Sequence, residues 1–261
     1  MAINIVRFAR DGAVAWGILR GAEILPVPGD FATTGDFVRQ VDVAALAALS
    51  GPSIAAAEVE ILSPVTRNQQ FICQGANYRR HMIESGMDPD AKTFNMIFTK
   101  ASSCIVPASS PVVKPAHVRF LDYEVELGLV LRRDVTAATV ITDANLRDFV
   151  AGLVIVDDYS ARDVQIPQMQ FYKGKSYRTF GPVGPHLTLL EPGDYAEIRN
   201  LDLRLTVNGE VRQQDSTADL VFGPAETLTE LAGLQDLFAG DLVATGTPAG
   251  CALAVPSHFR Q

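Results

Sequence analysis

The sequence predicts a mixed α/β fold that is rich in β-strands. Short apolar segments with many β-branched residues recur between turns, for example FICQG, FLDYEVELGLVL and AGLVIVDD. Helical patterns are fewer, and Val207-Asn208-Gly209-Glu210 carries the Asn-Gly pair of a type I′ hairpin turn. Many strands with few helices indicate a largely antiparallel or mixed sheet that folds on itself.

Two parts are predicted along the chain. Residues 1–64 form a small β-rich N-terminal domain, with strands INIVRF, AVAWGIL and ILPV and a helical segment FVRQVDVAALAAL. Residues 64–70 are predicted to link it to the main body, residues 65–261. In the body, the helical patterns are NYRRHMIESG, DANLRDFV and AETLTELAGL.

Composition limits the functional classes. The 261 residues carry a net charge of -8, which argues against nucleic-acid binding because that needs a basic surface. We expect no signal peptide and no membrane helix, since no basic N-terminal region precedes an apolar stretch and no apolar window reaches about 20 residues. Three scattered cysteines, Cys73, Cys104 and Cys251, are expected to be small core residues in a cytoplasmic protein.

The most informative segment is Asp122-Tyr123-Glu124-Val125-Glu126-Leu127-Gly128-Leu129, in which three carboxylates alternate with other residues. In a strand these carboxylates point one way and the apolar side chains point the other. Alternate residues lie about 6.6 Å apart, which lets Glu124 and Glu126 reach one cation. Taken alone, the same alternation is equally typical of a solvated strand face.

A second acidic cluster favours a metal site. The apolar run Val154-Ile155-Val156 ends in Asp157 and Asp158. Carboxylates that converge at the ends of buried strands are costly unless a cation or a proton joins them. Oxygen ligands without a matching Cys or His indicate Mg²⁺, Mn²⁺ or Ca²⁺ rather than zinc.

His81 and Glu84 lie three residues apart in a predicted helix, so they share one helical face. A carboxylate beside an imidazole raises its basicity and fixes its tautomer, which suits a general base that activates water. A surface ion pair is the commoner explanation of an isolated H-x-x-E. The following turn-rich residues 85–90 are interpreted either as a lid or as a surface loop.

Cationic side chains follow the second acidic cluster. Arg162 lies one helical turn after Asp158 and is predicted to pair with a substrate carboxylate or with acidic neighbours such as Asp163. Lys173-Gly174-Lys175-Ser176 is similar to the end of a phosphate-binding loop, but that motif's earlier glycine is absent, which excludes nucleotide binding there. Lys175 is therefore interpreted as a cation that polarises a carbonyl near the anionic site.

Six motifs occur together and in order, which is more specific than any one of them. They are Asn77-Tyr78-x-x-His81-x-x-Glu84, Asp122-Tyr123-Glu124-Val125-Glu126-Leu127, Asp158-x-Ser160-Ala161-Arg162-Asp163-x-Gln165, Gly174-Lys175-Ser176, Val207-Asn208-Gly209-Glu210 and Thr245-Gly246-Thr247-Pro248-x-Gly250. In this combination the chain resembles the fumarylacetoacetate hydrolase family. The resemblance implies that family's rolled mixed β-sheet in the body, a homodimer, and the small N-terminal domain that bacterial members often carry.

The resemblance also implies roles for individual residues. The metal ligands that it implies, for Mg²⁺ or Mn²⁺ with Ca²⁺ as a third candidate, are Glu124, Glu126 and Asp158. The catalytic residues that it implies are His81, Glu84 and Lys175. The substrate-binding residues that it implies are Tyr78, Arg162, Gln165 and Thr247.

The activity implied is hydrolysis of a C–C bond in an acylpyruvate or a related β-diketo acid, such as fumarylpyruvate or fumarylacetoacetate. Chelation of the 2-oxo acid by the metal withdraws electrons from the ketone, while His81 and Glu84 activate water. A decarboxylase of oxaloacetate-like acids or an isomerase of 2-hydroxydienedioates would use the same metal and lysine. A non-catalytic ligand-binding relative is a third interpretation, against which the intact His81-x-x-Glu84 pair argues.

Two features depart from the family's pattern. Asp157 stands where asparagine usually precedes the ligand aspartate, which adds negative charge beside the metal site. The sequence ends at His258-Phe259-Arg260-Gln261, where the family usually continues into another Pro-Gly-Asp turn and one or two strands. A chain that ends there is expected to leave a sheet edge open or completed by a partner.

Overall fold

The secondary structure comes from a computed structural model that describes residues 2–91 and 93–253. Its strands are β1 (Ile3–Arg10), β2 (Ala13–Arg20), β3 (Glu23–Pro26), β4 (Ile54–Ala55), β5 (Glu60–Leu62), β6 (Phe71–Gly75), β7 (Met96–Lys100), β8 (Ile105–Pro107), β9 (Leu121–Asp122), β10 (Val125–Leu131), β11 (Val150–Asp157), β12 (Ser160–Ala161), β13 (Gly181–Val183), β14 (Leu187–Leu189), β15 (Asp202–Val207), β16 (Glu210–Ser216) and β17 (Leu242–Ala244). Its α-helices are α1 (Thr34–Gln40), α2 (Val43–Ala48), α3 (Arg79–Glu84), α4 (Arg162–Gln168), α5 (Phe171–Lys175) and α6 (Pro224–Leu234). Residues 258–261, after which an open or partner-completed sheet edge is expected, lie outside the described residues.

One mixed sheet organises the described chain, and its longest path runs β4-β3-β2-β1-β14-β11-β10-β17-β6-β7. Most neighbouring strands are antiparallel, whereas β17 with β6 and β13 with β8 are parallel. The smaller pairs are β9 with β12 and β15 with β16. Asn208 and Gly209 both have positive φ in the turn between β15 and β16, which confirms the predicted hairpin. The predicted β-rich mixed fold is therefore confirmed.

Apolar cores lie on both faces of the central strands. On β10, Val130 belongs to one core, and Leu129 and Leu131 belong to the other. This is why the central strands read as nearly continuous apolar runs rather than as an apolar and polar alternation. Among residues 2–91 and 93–253, no helix is both long and apolar enough to cross a lipid bilayer.

The N-terminal strands and the body share this sheet, since β1 pairs with β14 as well as with β2. The segment predicted as a linker is packed, because the Thr34 hydroxyl donates to the Pro64 carbonyl at 2.8 Å and Val65 is buried. Trp16 stacks on Phe37 with ring centroids 4.5 Å apart, which ties α1 to β2. The boundary between residues 64 and 65 stays a prediction.

The helical predictions have mixed outcomes. FVRQVDVAALAAL forms α1 and α2, separated because the Asp42 carboxylate caps the second helix through the Ala45 N–H. The patterns that became α3 and α6 are confirmed, but DANLRDFV contains only the short 3₁₀ helix Leu146–Asp148. The helical turn predicted from Asp158 to Arg162 is wrong, because Ser160 pairs with the strand β9 before α4 begins.

Candidate metal centre and active site

The acidic segment is buried rather than solvated. Asp122, Glu124 and Glu126 are 0%, 4% and 2% exposed, so the solvated-face alternative is wrong. The predicted single strand divides into β9 and β10, because its first part pairs with β12 and its second part with β11 and β17. The carboxylates therefore lie where the two-stranded β9–β12 sheet meets the main sheet, at one end of the β10 and β11 pair.

Two of these carboxylates, Glu124 and Glu126, converge with that of Asp158, the arrangement expected of a metal site. One oxygen from each of Glu124, Glu126 and Asp158 lies within 4.8 Å of the others. Glu126 also accepts the Gly246 N–H at 2.9 Å, and Gly246 has a φ of +93°, which glycine adopts without strain. Asp122 lies outside this group and accepts the Ala252 N–H at 2.6 Å.

Two buried lysines flank the carboxylates. Lys175 Nζ donates to Glu124 Oε2 and, at 2.5 Å, to Asp158 Oδ2. Lys100 Nζ donates to Asp158 Oδ1 at 2.5 Å and to the Phe180 carbonyl at 2.7 Å. Lys100 was missed from the sequence, where a lysine at the end of the apolar segment FNMIFTK was the available signal.

The charge balance of this centre fits a divalent cation. Within the described residues it holds four buried carboxylates and three buried cations. The carboxylates are those of Asp122, Glu124, Glu126 and Asp158, and the cations are Lys100, Arg162 and Lys175. Burial and the Asp158 carboxylate raise the pKa of Glu126 well above its ordinary value, and the nearby Lys175 only partly opposes that rise. Burial acts on Glu124 in the same direction, but Arg162 and Lys175 hold its pKa well below the usual range. Oxygen donors with an excess of negative charge suit Mg²⁺, Mn²⁺ or Ca²⁺.

Arg162 is engaged by the protein. Its guanidinium donates to Asp122 Oδ2 and to Gln165 Oε1, each at 2.8 Å, and also to Glu124 Oε1. This geometry favours the alternative of pairing with acidic neighbours. Asp163 is not among those neighbours, because its carboxylate accepts the Arg119 N–H at 2.8 Å.

The His81 and Glu84 pair is brought next to the carboxylates. His81 Nδ1 lies 3.6 Å from Glu84 Oε2, and the two side chains are only 13% and 28% exposed. Donor atoms of His81, Glu124 and Cys251 lie within 4.8 Å of one another. Although burial raises the pKa of Glu84, contacts with His81 and the Gly250 N–H lower it below its ordinary value. These positions are not those of an isolated surface ion pair.

A cavity of about 180 Å³ joins the carboxylates to His81. Gln165, Lys175 and Thr247 line it, as the predicted roles require. The Thr247 hydroxyl donates to the Val125 carbonyl at 3.0 Å, which fixes its orientation. Tyr78 is fully buried and is not among the lining residues, so the structure does not bring this predicted substrate-binding residue to the cavity.

Asp157 contacts the backbone of the candidate metal ligand Glu124. Its Oδ1 accepts the backbone N–H of Glu124 at 2.9 Å, and it is outside the group of converging carboxylates. Burial raises the pKa of Asp157 to about 6. The extra negative charge expected at this position therefore lies beside the backbone that carries Glu124.

Two family profiles match the chain. Residues 70–260 match the family described as fumarylacetoacetate (FAA) hydrolase C-terminal. The chain belongs to the fumarylacetoacetate hydrolase family. Residues 4–64 match the family described as Rv2993c-like, N-terminal, so the two matches meet at the segment predicted as a linker.

Individual relatives carry different activities in their names. Oxaloacetate tautomerase YisK of Bacillus subtilis (strain 168) is 38% identical over 197 residues, which are 74% of this chain and 63% of YisK. The 2,4-didehydro-3-deoxy-L-rhamnonate hydrolase of Sphingomonas sp. (strain SKA58) is 34% identical over 240 residues, which are 88% of this chain and 82% of that protein. The crystal structure of 2-hydroxyhepta-2,4-diene-1,7-dioate isomerase from Mycobacterium marinum has a TM-score of 0.77 at 26% identity and covers 95% of this chain and 88% of that chain. The chain thus spans less than two thirds of the length of YisK.

Proposed function

We propose that this protein is a divalent-metal-dependent hydrolase that cleaves a C–C bond in an acylpyruvate or a related β-diketo acid. The observation that supports the proposal is that His81, which lies 3.6 Å from Glu84, lines one cavity with Glu124 and Glu126. These two carboxylates in turn converge with Asp158. A base beside an oxygen-rich cation site is what water attack on a chelated ketone requires.

Each residue has a physical task in this reaction. A Mg²⁺ or Mn²⁺ ion held by Glu124, Glu126 and Asp158 would supply Lewis-acid polarisation of the 2-oxo acid. His81 accepts a proton from the attacking water, and Glu84 stabilises the resulting imidazolium. The Gly250 N–H donates to the Glu84 carboxylate at 3.0 Å and so keeps it aimed at His81.

The remaining site residues position these groups and the substrate. Lys175 places a cation beside the substrate's carbonyl oxygens, where it stabilises developing negative charge. Gln165 and Thr247 offer polar groups on the cavity wall. Arg162 acts through Glu124 and Gln165, because its guanidinium is hydrogen-bonded to both.

A tautomerase, decarboxylase or isomerase reaction on the same class of acids is the second candidate. It is favoured by the names of two relatives, an oxaloacetate tautomerase and a 2-hydroxyhepta-2,4-diene-1,7-dioate isomerase. Such reactions need proton transfer at a carbon beside the ketone but no water nucleophile, so the same His81 could serve them.

The test is a Mg²⁺-dependent assay of acylpyruvates, oxaloacetate and a 2-hydroxydienedioate that follows both enol absorbance and pyruvate release. We expect pyruvate release from an acylpyruvate, and a loss of roughly 10² to 10⁴-fold in His81→Asn with unchanged Mg²⁺ binding. His117→Asn is the matched control, because His117 contacts Tyr177 at the surface instead of lining the cavity. Loss of enol absorbance without pyruvate release, or pyruvate release from oxaloacetate but not from an acylpyruvate, would favour the second candidate. Full cleavage of an acylpyruvate by His81→Asn would contradict the role of this base.

We also propose that the protein is a cytoplasmic homodimer. An apolar groove of about 290 Å³ borders the exposed Ile155 together with Leu153 and Leu203, which suits contact with a second copy. Three free buried cysteines suit a reducing compartment. A single sedimentation species of twice the chain mass is the expected result.

A further inference from the structure

The cavity has two chemically different walls. Its inner part carries the side chains described above, namely Glu124, Glu126, Lys175 and Thr247. Six apolar side chains from five segments of the chain line the cavity as well, and we call them its outer wall. They are Met87, Met96, Phe98, Ile166, Phe171 and Leu253.

The outer wall is ordered by packing. Phe98 stacks on Phe171 with ring centroids 5.2 Å apart and an interplanar angle of 25°. Lys175 Nζ lies 5.3 Å from the Phe98 ring centre, so the wall begins next to the charged centre. If the 2-oxo acid group of a substrate lies at Lys175, the adjoining part of the substrate therefore contacts aromatic and aliphatic side chains.

The apolar surface continues to the mouth of the cavity. Ile166 is 48% exposed and Met87 is 37% exposed, although both line the cavity. Met169 and Tyr172, which follow Ile166 in the same α4–α5 segment, are exposed as well. Adjacent exposed apolar side chains at a cleft are typical of a surface that binds an apolar ligand.

The cations of the cavity are already paired. Among the described lining residues the arginine and lysine side chains are Arg162 and Lys175. Arg162 is bound by Asp122 and Glu124, and Lys175 is bound by Glu124 and Asp158. Both lie at the inner wall, so no described lysine or arginine lines the outer wall.

We infer that the substrate's acyl group, beyond the 2-oxo acid head, is short and apolar rather than carboxylated; this rests on the proposed function. The volume of about 180 Å³ limits its size. An alkyl or aryl group buries against the outer wall and gains hydrophobic free energy. A distal carboxylate at the same place loses its hydration without gaining a cation.

Binding of two 2-oxo acids of equal length tests this inference without turnover. The probes are 2-oxohexanoate, with a methyl end, and 2-oxoadipate, with a carboxylate end, titrated into the Mg²⁺-loaded full chain by calorimetry. High salt reduces the general repulsion from the net charge of -8. We expect 2-oxohexanoate to bind at least about tenfold more tightly, and equal or tighter binding of 2-oxoadipate would overturn the inference.

A charge introduced at the mouth supplies the second measurement. Ile166→Arg, at a half-exposed position that tolerates a long polar side chain, should raise the affinity for 2-oxoadipate several-fold relative to 2-oxohexanoate. Ile166→Gln is the matched control without the charge and should leave the ratio of affinities nearly unchanged. An unchanged ratio in Ile166→Arg would place the distal group elsewhere and contradict the inference.

Turnover distinguishes this inference from the proposed function. Butanoylpyruvate and succinylpyruvate have equal carbon numbers and differ in the terminal carboxylate. We expect kcat/KM to be at least about tenfold higher for butanoylpyruvate. If neither is cleaved, the hydrolase proposal fails, while the two binding ratios still decide whether the outer wall selects an apolar group.

Discussion

The two ends of the β10 and β17 strand pair each hold a buried carboxylate, and the two are satisfied differently. At one end Asp241 accepts four N–H groups, all from the neutral residues Gln69, Gln70 and Phe238, at 2.7 to 3.2 Å. At the other end Glu126 accepts the Gly246 N–H and lies beside Glu124 and Asp158.

The difference separates a structural carboxylate from a functional one. Burial raises the pKa of Asp241, and its four hydrogen bonds oppose that rise. Burial and a like charge together raise the pKa of Glu126 well above its ordinary range. Neutral donors that saturate a carboxylate stabilise the fold without a ligand, whereas crowded carboxylates are stabilised by a cation. Buried charge by itself therefore does not identify a site, and the kind of partner does.

The largest effect is expected at the end of the strand pair that holds Glu126. Glu126→Gln should lower turnover by at least about a thousandfold, because Lewis-acid catalysis contributes several kcal/mol and each 1.4 kcal/mol is tenfold in rate. The same change should raise the melting temperature of the metal-free protein, since it removes one of several converging negative charges.

The measurement is thermal unfolding with and without Mg²⁺. The wild-type melting temperature should rise with Mg²⁺, and that of Glu126→Gln should not. Asp241→Asn is the control and should keep the Mg²⁺-dependent rise. A Mg²⁺-dependent rise in Glu126→Gln equal to that of wild type would remove the distinction between the two ends.

Asp157 is intermediate between a structural and a functional carboxylate. It accepts a backbone N–H, as Asp241 does, but it lies next to the metal-ligand candidates. An acid whose pKa is raised on folding holds its proton more tightly in the native state, so it lowers stability above its native pKa and has no effect below its unfolded pKa. With a native pKa of about 6 and an unfolded value near 3.9, that cost is on the order of 3 kcal/mol above pH 6.

Asp157→Asn keeps the oxygen that accepts the Glu124 N–H and removes the charge. We expect the free energy of unfolding of the metal-free protein to rise by up to about 3 kcal/mol at pH 8 and to be unchanged below about pH 4. Urea unfolding in the presence of a chelator at both pH values measures this. A gain of equal size at both pH values would show that titration of this carboxylate is not the cause.

The smallest effect is expected at the end of the strand pair that holds Asp241. Asp241→Asn replaces an acceptor oxygen by an amide N–H that faces N–H donors, so it should lower the free energy of unfolding by about 2 kcal/mol. Urea unfolding at pH 7 measures the loss, and Asp236→Asn at an exposed neighbouring position is the control. A loss no larger than in that control would mean that the four hydrogen bonds contribute little.

Much of the site was predictable because its residues form local patterns. Glu124 and Glu126 could be proposed as ligands from their spacing, the apolar run before Asp157 and Asp158 indicated a second acidic cluster, and the family resemblance implied Asp158 as the third ligand. The structure brings Glu124, Glu126 and Asp158 together. The spacing of His81 and Glu84 likewise indicated a shared helical face. Lys100 could not be assigned in this way, because it belongs to a different strand and reaches Asp158 only through tertiary structure.

Local patterns were ambiguous or wrong where the same sequence pattern is compatible with two different structures. The strand face that carries Glu124 and Glu126 has the same alternation whether it is solvated or buried, and the pairing of β10 with β11 and β17 made it buried. DANLRDFV has a helical pattern over only eight residues, and it formed one short 3₁₀ helix.

The sequence by itself determined the β-rich fold, the hairpin at Asn208 and Gly209, and the identity of the oxygen donors, because side-chain chemistry and local backbone preference are properties of short segments. Only the tertiary structure decided that Arg162 is held by Asp122 and Glu124, that Tyr78 lies away from the cavity, and that the outer wall is apolar. These features depend on contacts between residues that are distant in the chain, and the free energy of such a contact depends on burial, which the folded sheet sets.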